Sequence, residues 1–512
     1  MKSYKLTKTL IKSGLQCHKK LWFDVHKKIK KEKATFKRGD LFGEQVVKKY
    51  KKGYGEFLDL TGERKDIVNK TKQAIISNHI NVIFEGAFEY LNTQVRTDVL
   101  IRKKEGWELL EAKSSTRLKP EYNEDIAIQS FIVRECMKQY GQNLICMKLI
   151  HFDKYFTLKE KDNYEGLISD EKDLTRKIKE EERKIPKYIK DFMPLTNANS
   201  SCPKIEMGCH CKKPYKCDYQ DRCKSLSPKS NITSYTILPY IGCSSELVNY
   251  MEKQGTTDLQ KVPEKFFKPR KGYAPNYHKK IQDCHKKNES WINKENLKNK
   301  FNSFKFPFYF MDFEFVGQGV PIIKGTQPYF RLPFQWSVHK WELPNKKIVP
   351  SNEKFIKFDD QNIERKFVVE LLKAVGKDGT IFAHKADAAE ISILNELKKK
   401  DNCKDLADKI DNLTKRTKDT LKLVGENFYH PKMNGDYGIK SIIRAIPNID
   451  ISYDDEESLT GGEDAELAWF ICTNPKTSIE EKKRQKKLLL KYCSNDTLAV
   501  YHLVKYLMEK IK

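Results

Sequence analysis

The sequence predicts an α/β protein with more than one domain, and three stretches carry that prediction. The aromatic run FPFYFMDFEFV at 306–316 is typical of a buried strand, and KKLLLKYCSNDTLAVYHLVKYLMEK at 486–510 has apolar residues at helical spacing. Two apolar-rich runs, VRTDVLI and WELLEAK, flank the turn-prone RKKEG and predict a hairpin or adjacent strands over 95–113. The length of 512 residues allows roughly three domains of about 150 residues each.

Composition divides the chain into three predicted regions. Residues 1–228 contain basic helical stretches, the strand pair and a cysteine cluster, and residues 306–512 begin with a strand and end with a helix. Between them, 229–305 is rich in Lys and Asn and predicts a helical connector. Its segment LPYIGCSSELVNYMEKQGTTDL is compatible with a helix-hairpin contact to phosphate or with a plain linker. Further strands are expected near 333–339 and 380–384.

The chain is strongly basic, and the excess charge is uneven. It has 97 Lys and Arg against 70 Asp and Glu, a net charge of +27, of which residues 1–300 carry +23 and residues 301–512 carry +4. A field of one sign concentrates an oppositely charged partner, most commonly a phosphate backbone. A lysine-rich codon usage is the alternative explanation, but it should act equally on both parts. We therefore expect a nucleic-acid partner, bound mainly by the N-terminal part.

Compartment and cysteine chemistry are predicted together. The chain has no apolar run of about 18 residues, so no membrane-spanning helix is expected. Its N-terminus lacks the apolar core of a secretory signal, which favours a cytoplasmic protein. In that reducing compartment the 13 cysteines should be thiols or metal ligands rather than disulfides.

The predicted strand pair contains a first group of chemically active residues. Asp98 lies in one strand and Glu111 in the other, and period-two alternation puts Lys113 on the same face as Glu111. Such a carboxylate pair can hold Mg²⁺ or Mn²⁺ while a lysine orients the water that attacks phosphorus. The alternative is a surface salt bridge on an edge strand.

The order R-x-D, then E-x-K-S-S-T, then a helix containing EDIAIQSF resembles RecB-type PD-(D/E)XK nucleases. The resemblance implies a restriction-endonuclease-like fold in which Asp98 and Glu111 bind metal, Lys113 is catalytic and Gln129 supports the site. In that family an upstream helix usually contributes a His or Glu ligand, and FKRGDLFGEQVVKKY offers Glu44.

The segment CPKIEMGCHCKKPYKCDYQDRC at 202–223 holds five cysteines, a density that predicts metal ligands. Zinc favours close cysteine pairs, whereas the C-x5-C-x5-C spacing needs a distant fourth ligand. One remote N-terminal cysteine plus three later ones is the layout of RecB-like iron–sulfur nucleases, including CRISPR-associated ones. The resemblance implies a [4Fe–4S] cluster on Cys17, Cys211, Cys217 and Cys223. Zinc is the alternative, with ligands drawn from Cys202, Cys209, His210 and Cys211.

A second group of carboxylates lies in the C-terminal part. Asp312 and Glu314 share one face of a very apolar strand, and two buried carboxylates repel each other unless a cation neutralises them. In the last helix, Tyr492 and Asp496 are four residues apart and therefore on one face. This pattern predicts a second metal site.

The Asp-x-Glu strand and the Tyr-x-x-x-Asp helix resemble DEDD exonucleases of the RNase H fold. The resemblance implies that four carboxylates, Asp312, Glu314 and Asp496 among them, join two metal ions. It further implies that Tyr492 orients the water attacking the 3′-terminal phosphodiester. The segment TIFAHKADAAEISIL offers Asp387 or Glu390 as the fourth carboxylate, and we favour Glu390. Asp419 is a third candidate, more typical of a helix start.

Further stretches, PIIKGTQPYFRLPFQWSVH, NFYHPKMNGDYGIKSI and LTGGEDAELAW, resemble an uncharacterised microbial family that fuses a RecB-like iron–sulfur nuclease to an RNase H-like domain. This resemblance spans essentially the whole chain. Within these stretches packing or hydrogen bonding, rather than a site role, is the preferred interpretation of Gln335, His339 and His430.

The prediction is therefore a metal-dependent nuclease that hydrolyses DNA at a RecB-like site and at a second, 3′-to-5′ exonuclease-like site. DNA repair and defence are both compatible pathways. The alternative is a non-catalytic nucleic-acid-binding or scaffold protein in which one or both sites have decayed.

Overall fold

A computed structural model describes residues 4–29, 34–226, 237–350, 355–358, 362–449, 451 and 458–512, which form a mixed α/β structure as predicted. The chain divides into two compact units. Unit 1 comprises Met1–Pro228 and Gly317–Phe330, and unit 2 comprises Lys229–Val316 and Arg331–Lys512. The predicted connector, 229–305, thus falls in unit 2, and a short segment from the C-terminal half of the sequence falls in unit 1.

Unit 1 is built on a seven-stranded sheet, as far as its residues are described, and eight helices accompany it. The strands are β1 (Leu6–Thr7), β2 (Phe57–Asp59), β3 (Val82–Tyr90), β4 (Thr93–Lys103), β5 (Gly106–Lys113), β6 (Leu144–His151) and β7 (Lys172–Asp173). The helices are α1 (Lys8–Gln16), α2 (His18–His26), α3 (Ala34–Tyr50), α4 (Ile67–Ile76), α5 (Glu121–Gln139), α6 (Thr175–Glu182), α7 (Ile185–Phe192) and α8 (Gln220–Leu226).

The sheet of unit 1 has the order β2-β3-β4-β5-β6-β7, with β1 paired to β4. Strands β3, β4 and β5 are antiparallel neighbours, and β5 pairs parallel to β6 through the crossover helix α5. The predicted strand pair at 95–113 is confirmed as the antiparallel strands β4 and β5. Both faces of the sheet are covered: Leu100 and Leu109 pack in one apolar cluster, while Val99 and Leu110 pack in another.

Residues 317–330 pack against the second of these clusters. Val320 is buried in it, and adding a Cβ at Gly319 would bring that atom within 2.5 Å of the Phe152 ring. The Tyr329 hydroxyl donates to the carbonyl of Ser114, 2.5 Å away, directly after β5. Part of the sequence assigned to the C-terminal domain by pattern is thus a structural component of unit 1.

Unit 2 contains a six-stranded sheet of order β11-β10-β9-β13-β14, with β12 on β10, and a separate pair of β8 with β15, within its described residues. Strand β13 is parallel to both β9 and β14. The strands are β8 (Trp291–Ile292), β9 (Phe308–Gly317), β10 (Arg331–Trp341), β11 (Val349–Pro350), β12 (Phe355–Ile356), β13 (Thr380–Ala383), β14 (Thr417–Asp419) and β15 (Phe428–Tyr429). The helices are α9 (Ser245–Lys253), α10 (Tyr277–Lys287), α11 (Lys294–Asn302), α12 (Ile363–Val375), α13 (Glu390–Leu397), α14 (Ala407–Arg416), α15 (Thr420–Asn427), α16 (Ile439–Ala445), α17 (Gly462–Thr473) and α18 (Ile479–Lys510).

The predicted strands at 306–316, 333–339 and 380–384 and the terminal helix are confirmed as β9, β10, β13 and α18. The connector does not behave as a plain linker. Its residues Leu247 and Ile281 are fully buried in one apolar cluster with Phe310 of β9 and Leu503 of α18. Across the described ranges, no helix combines the length and apolar character needed to cross a membrane.

Candidate active sites

The register of unit 1 brings Asp98 and Glu111 side by side. Val99 pairs with Leu110, so the next residues outward, Asp98 on β4 and Glu111 on β5, lie opposite each other. The backbone N–H of Ala112 donates to Asp98 Oδ2 over 2.6 Å, which holds that carboxylate against β5. Glu111 has 1% of its side chain exposed, and its Oε1 is 2.6 Å from Lys113 Nζ. The structure therefore brings the three central predicted residues together.

The two carboxylates have opposite electrostatic environments. Burial, and then the charge of Glu111, raises the pKa of Asp98 to about 7. Burial alone would also raise the pKa of Glu111, but the ammonium groups of Lys113 and Lys8 lower it to about 2. Without a further cation, Glu111 carries the charge and Asp98 readily takes a proton, whereas a bound divalent ion would favour ionisation of both.

Three residues of this site were missed by sequence reasoning. Lys8 Nζ lies 2.9 Å from Glu111 Oε1, and Lys12 Nζ lies 2.5 Å from Asp125 Oδ1. Asp125 Oδ2 is in turn 2.5 Å from Lys113 Nζ. The available sequence signal was helical spacing: Lys8 and Lys12 are one turn apart in α1, as Asp125 and Gln129 are in α5. Which residues these side chains contact depends on how the two helices pack in unit 1. Although burial opposes it, Glu111 and Asp125 raise the pKa of Lys113, which keeps the amine protonated.

The two supporting residues predicted for this site differ in outcome. Gln129 is fully buried, and its Nε2 donates over 2.8 Å to the carbonyl of Arg96, two residues before Asp98, so it supports the strand that carries the carboxylate. Glu44 lies exposed on α3.

Cys17, Cys211, Cys217 and Cys223 line one pocket of unit 1, although about 190 residues separate the first from the others in sequence. Cys17 lies at the junction of α1 and α2. The neighbouring Gln16 Nε2 donates to the carbonyls of His210 and Tyr215 over 2.8 and 2.7 Å, and Trp22 Nε1 donates to the carbonyl of Ser200. These bonds fix the N-terminal helices against the cysteine segment.

The spacing of these thiols bears on the metal they could hold. Among the described residues, one group has at least three possible metal-ligand atoms within 4.8 Å of one another. That group lies in unit 2 and includes none of these cysteines. Sulfurs around a tetrahedral zinc ion lie about 3.8 Å apart when Zn–S is about 2.3 Å, so any three of these sulfurs would have to move closer together to bind zinc. Cys209 is disulfide-bonded, which corrects the expectation of a free thiol and removes it from the zinc alternative. Burial raises the pKa of Cys217 to about 11, so metal binding would have to displace its proton.

Unit 2 brings together the second group of predicted residues. Asp312 and Glu314 project from β9, Glu390 begins α13, and Tyr492 and Asp496 lie on α18. Ligand atoms of Asp312, Glu314 and Cys493 lie within 4.8 Å of one another. Cys493 was not predicted as a site residue; its Sγ is 3.4 Å from Asp312 Oδ2. Its position directly after Tyr492 in the motif was the only sequence signal.

The carboxylates of unit 2 act on one another. Burial, followed by the charges of Asp496 and Glu314, raises the pKa of Asp312 well above its usual value. Burial, followed by Asp496 and Glu390, does the same for Glu314. The pKa of Glu390 is raised to about 8, again mainly by burial. Four acidic groups thus share a desolvated space, which is the environment that a bound cation would stabilise.

The three candidates for the fourth carboxylate have different positions. Glu390 is 2% exposed, and within the described chain its Oε2 has no hydrogen-bond partner. Asp419 accepts hydrogen bonds from the N–H groups of Leu421 and Lys385 and caps α15, a structural role. Asp387 is half-exposed and paired with Lys422. Of the three candidates, only Glu390 is a buried acid whose charge raises the pKa of Asp312 and Glu314.

The remaining polar residues around this site have packing or orienting roles. Gln335 Nε2 donates to the carbonyl of Leu489, and His339 Nδ1 lies 2.8 Å from Thr497 Oγ1, so both bind α18 to β10. His430 caps a short helical turn. Lys440, which was not predicted, places its Nζ 4.8 Å from the centre of the Tyr492 ring, and burial lowers the pKa of this lysine.

Residues 309–438 match the family described as a domain of unknown function, DUF2779. The matched stretch contains Asp312, Glu314 and Glu390 but neither the residues of the first site nor the cysteine segment. No curated protein matches the chain.

Proposed function

We propose that the protein is a metal-dependent nuclease that hydrolyses phosphodiester bonds of DNA. The observation that carries this proposal is the convergence of Asp98, Glu111 and Lys113, with Lys113 Nζ 2.6 Å from Glu111 Oε1. Two carboxylates beside a protonated lysine provide both a place for a hard cation and a donor for a developing negative charge.

At the first site, Asp98 and Glu111 would hold Mg²⁺ or Mn²⁺. When bound, the metal supplies Lewis-acid activation of water and neutralises charge on the scissile phosphate. Lys113 donates a hydrogen bond toward the attacking water or the phosphoryl oxygens, and Asp125 orients its amine from the other side. Gln129 holds β4, and with it Asp98, in position through its hydrogen bond to the carbonyl of Arg96. This arrangement fits a restriction-endonuclease-like domain.

The second site, we propose, is a 3′-to-5′ exonuclease-like centre on an RNase H-like domain. Asp312, Glu314, Glu390 and Asp496 would hold the divalent metal, and the orphaned Oε2 of Glu390 offers a buried oxygen ligand. The Tyr492 hydroxyl, next to Asp496, orients the attacking water. The strand order β11-β10-β9-β13-β14, with its parallel pairs β9–β13 and β13–β14, supports this assignment.

For the cysteine pocket we propose a structural [4Fe–4S] cluster on Cys17, Cys211, Cys217 and Cys223. Protein purified without oxygen should be brown and contain iron and acid-labile sulfide. Cys217→Ser should lose both, whereas Cys136→Ser, buried elsewhere in unit 1, should keep them. Colourless wild-type protein with one equivalent of zinc would contradict the cluster.

DNA is the proposed substrate, and residues 1–228 of unit 1, with 48 Lys and Arg against 32 Asp and Glu and hence a net charge of +16, support backbone capture near the first site. The test is cleavage of DNA labelled at one end, with Mn²⁺, by wild type, Asp98→Asn and Asp312→Asn. Each substitution should remove a different set of products, and Asp312→Asn should remove stepwise shortening from the 3′ end. If both variants cleave as wild type does, the catalytic assignments are wrong. Binding without cleavage by wild type would favour the scaffold alternative.

A further inference from the structure

The connector holds most of the positive charge in the C-terminal half of the sequence. Residues 229–305 have 15 Lys and Arg against 7 Asp and Glu, a net charge of +8, whereas residues 306–512 carry +3. Within the connector, cations also lie over aromatic rings, as Lys280 Nζ does 4.4 Å from the centre of the Trp291 ring. Surfaces that bind single-stranded nucleic acid combine these two features, because cations attract the phosphates and aromatic faces stack on the bases.

Tyr240, Arg270 and Tyr273 form an exposed cluster of this kind, which we call the connector platform. The guanidinium carbon of Arg270 lies 3.1 Å from the centre of the Tyr240 ring, so the cation rests on one face of that ring. The Tyr240 hydroxyl is 3.0 Å from the Tyr273 hydroxyl, and the two ring planes meet at 79°. Tyr240 is 58% exposed and Arg270 is exposed, so both planar groups are accessible from solvent.

The connector platform is anchored on buried residues of unit 2. Tyr273 packs against Tyr277 and Tyr437, which are both buried, with ring centres 4.9 and 5.1 Å away. The backbone N–H of Ala274 donates over 2.9 Å to the carbonyl of Gly425, which fixes this loop against α15. A partner would therefore meet side chains that are already held in place, which reduces the entropy lost on binding.

The backbone at Tyr240 is strained. Its φ is 67°, in the left-handed region that a bulky residue rarely adopts. The neighbouring backbone is held: Nε2 of the buried His278 lies 2.9 Å from the Pro239 carbonyl, and the Gly242 N–H donates over 2.9 Å to the Leu238 carbonyl. Strained residues persist where the surroundings enforce them, often at functional sites. The fold thus keeps a large aromatic ring exposed in a conformation that tyrosine does not favour.

The buried support of the connector platform also contacts elements of the second site. Tyr437, which packs against Tyr273, is three residues before Lys440, whose Nζ lies 4.8 Å from the centre of the Tyr492 ring. The carbonyl of Tyr437 is 2.9 Å from Nε2 of His384, the residue directly after β13, and β13 pairs with β9, which carries two acids of that site. The platform and the second site are therefore joined through Tyr437.

We propose that the connector platform binds single-stranded nucleic acid. The Tyr240 ring and the Arg270 guanidinium offer planar faces on which an unpaired base stacks. Arg270 and its exposed neighbours Lys268 and Lys271 attract the adjoining phosphates. An unpaired strand is the form that fits, because the bases of a duplex already stack on one another. The inference rests on the proposed function in one respect: the bound strand is the one whose 3′ end the second site shortens.

The test measures binding of fluorescein-labelled oligo(dT) by fluorescence anisotropy, in a chelator so that no cleavage occurs. Losing one aromatic stacking partner should weaken binding by Tyr240→Ala at least about fivefold. Tyr240→Phe keeps the ring and should bind as wild type does. The matched control is Tyr155→Ala, which removes an exposed tyrosine of unit 1 whose ring centre lies 4.5 Å from Lys154 Nζ, and it should leave the affinity unchanged.

Two further probes separate stacking from charge. Tyr240→Ala should bind an abasic strand and a blunt duplex as wild type does, whereas Arg270→Ala should weaken binding of the abasic strand as well. A strand containing 5-iodouracil, cross-linked to wild-type protein by ultraviolet light, should label Tyr240 in peptide mass spectra. Unlabelled oligo(dT) should prevent this labelling, and blunt duplex should not.

Wild-type affinity for oligo(dT) in Tyr240→Ala, together with no cross-link at Tyr240, would overturn the inference. An equal loss of affinity for the abasic strand would show that charge alone acts there, and displacement of oligo(dT) by polyglutamate would indicate a site for acidic protein segments; both results contradict base stacking. Tyr240→Asn guards against misfolding, since asparagine tolerates a positive φ, and it should show the same loss as Tyr240→Ala.

Failure of this inference and failure of the proposed function give different results. If wild-type protein binds oligo(dT) through Tyr240 but does not shorten it with Mn²⁺, the proposed function fails and the platform stands. If wild-type protein shortens the strand and Tyr240→Ala binds it equally well, the platform fails and the nuclease stands.

Discussion

The two carboxylate clusters differ in how their charge is balanced. In unit 1, Lys8 and Lys113 contact Glu111, and Lys12 and Lys113 contact Asp125. In unit 2, no ion pair within the described chain joins Asp312, Glu314 or Glu390 to a lysine or arginine, and their pKa values are all raised. Lysines therefore balance the charge of the first cluster, and we expect the second cluster to depend more strongly on a bound cation. Similar motifs can thus have opposite responses to metal, pH and mutation.

The largest expected effect is the loss of first-site cleavage in Lys113→Ala. Removing a positioned proton or hydrogen-bond donor costs about 10²–10⁴-fold in rate. Stepwise 3′ shortening by the second site should be unchanged, as measured on the same labelled DNA. Lys12→Ala, which loses a contact to Asp125 but none to Glu111, is the control and should retain most first-site activity. If Lys113→Ala nicks labelled DNA at the wild-type rate, this lysine is not catalytic.

Amide substitutions should change stability in opposite directions at the two sites. In metal-free buffer, Glu111→Gln should lower the free energy of unfolding by about 3 kcal/mol, because Lys8 and Lys113 lose their buried partner. Asp312→Asn should raise it, because one of several repelling carboxylates is removed. Denaturant unfolding measures the free energy of unfolding of both variants. A change of the same sign in the two would contradict the expected difference between the two sites.

Divalent metal should reverse the stabilisation that we expect for Asp312→Asn in metal-free buffer. Wild-type protein should gain about 2.7 kcal/mol at Mn²⁺ concentrations near 100 times Kd, by mass action. Asp312→Asn should gain much less, since its second site is damaged. Thermal unfolding with and without Mn²⁺ tests this expectation, with Asp387→Asn, outside the buried cluster, as the matched control.

Stability without metal should fall as pH rises. Unfolded Glu has a pKa of about 4.3, whereas that of folded Glu390 is about 8, so its protonated form stabilises the fold below the first value. That contribution is lost between about pH 5 and pH 8, and Glu390→Gln should flatten the decline. Asp98 adds a smaller loss of the same sign, because burial raises its pKa to about 7. Unfolding free energies measured across this range in a chelator check the slope, and a wild-type slope in Glu390→Gln would contradict it.

The smallest expected effect is a change of metal preference in Cys493→Ser. Thiolates favour softer ions, and Cys493 Sγ lies with Asp312 and Glu314. The variant should bind Cd²⁺ more weakly relative to Mn²⁺, by less than about tenfold, and lose part of the ultraviolet absorption of Cd²⁺–thiolate bonds, the remainder coming from the cysteine pocket of unit 1. Cys472→Ser, buried on α17, is the control. Unchanged Cd²⁺ absorption in Cys493→Ser would show that its thiol is not a ligand.

Much of both sites could be predicted from sequence, and the contacts that were missed join elements distant along the chain. Asp98, Glu111 and Lys113 follow from period two in neighbouring strands, and Tyr492 and Asp496 follow from one helical turn. Glu44, proposed by analogy with an upstream helix, lies exposed on α3, and its role as a ligand stays a prediction. Lys8 and Lys12 were missed because their contacts with Glu111 and Asp125 depend on how α1 packs against β5 and α5.

Sequence by itself determined the identity of several elements, among them β4, β5, β9 and α18, the face on which each acid lies and the grouping of three late cysteines. These are local properties, since side-chain direction repeats within a single element. Tertiary structure decided that α1 delivers Lys8 to Glu111, that Cys17 joins the cysteine pocket and that residues 317–330 pack into unit 1. Each of these contacts joins elements distant in sequence. Register and buried apolar area, rather than local periodicity, determine which of these elements pack together.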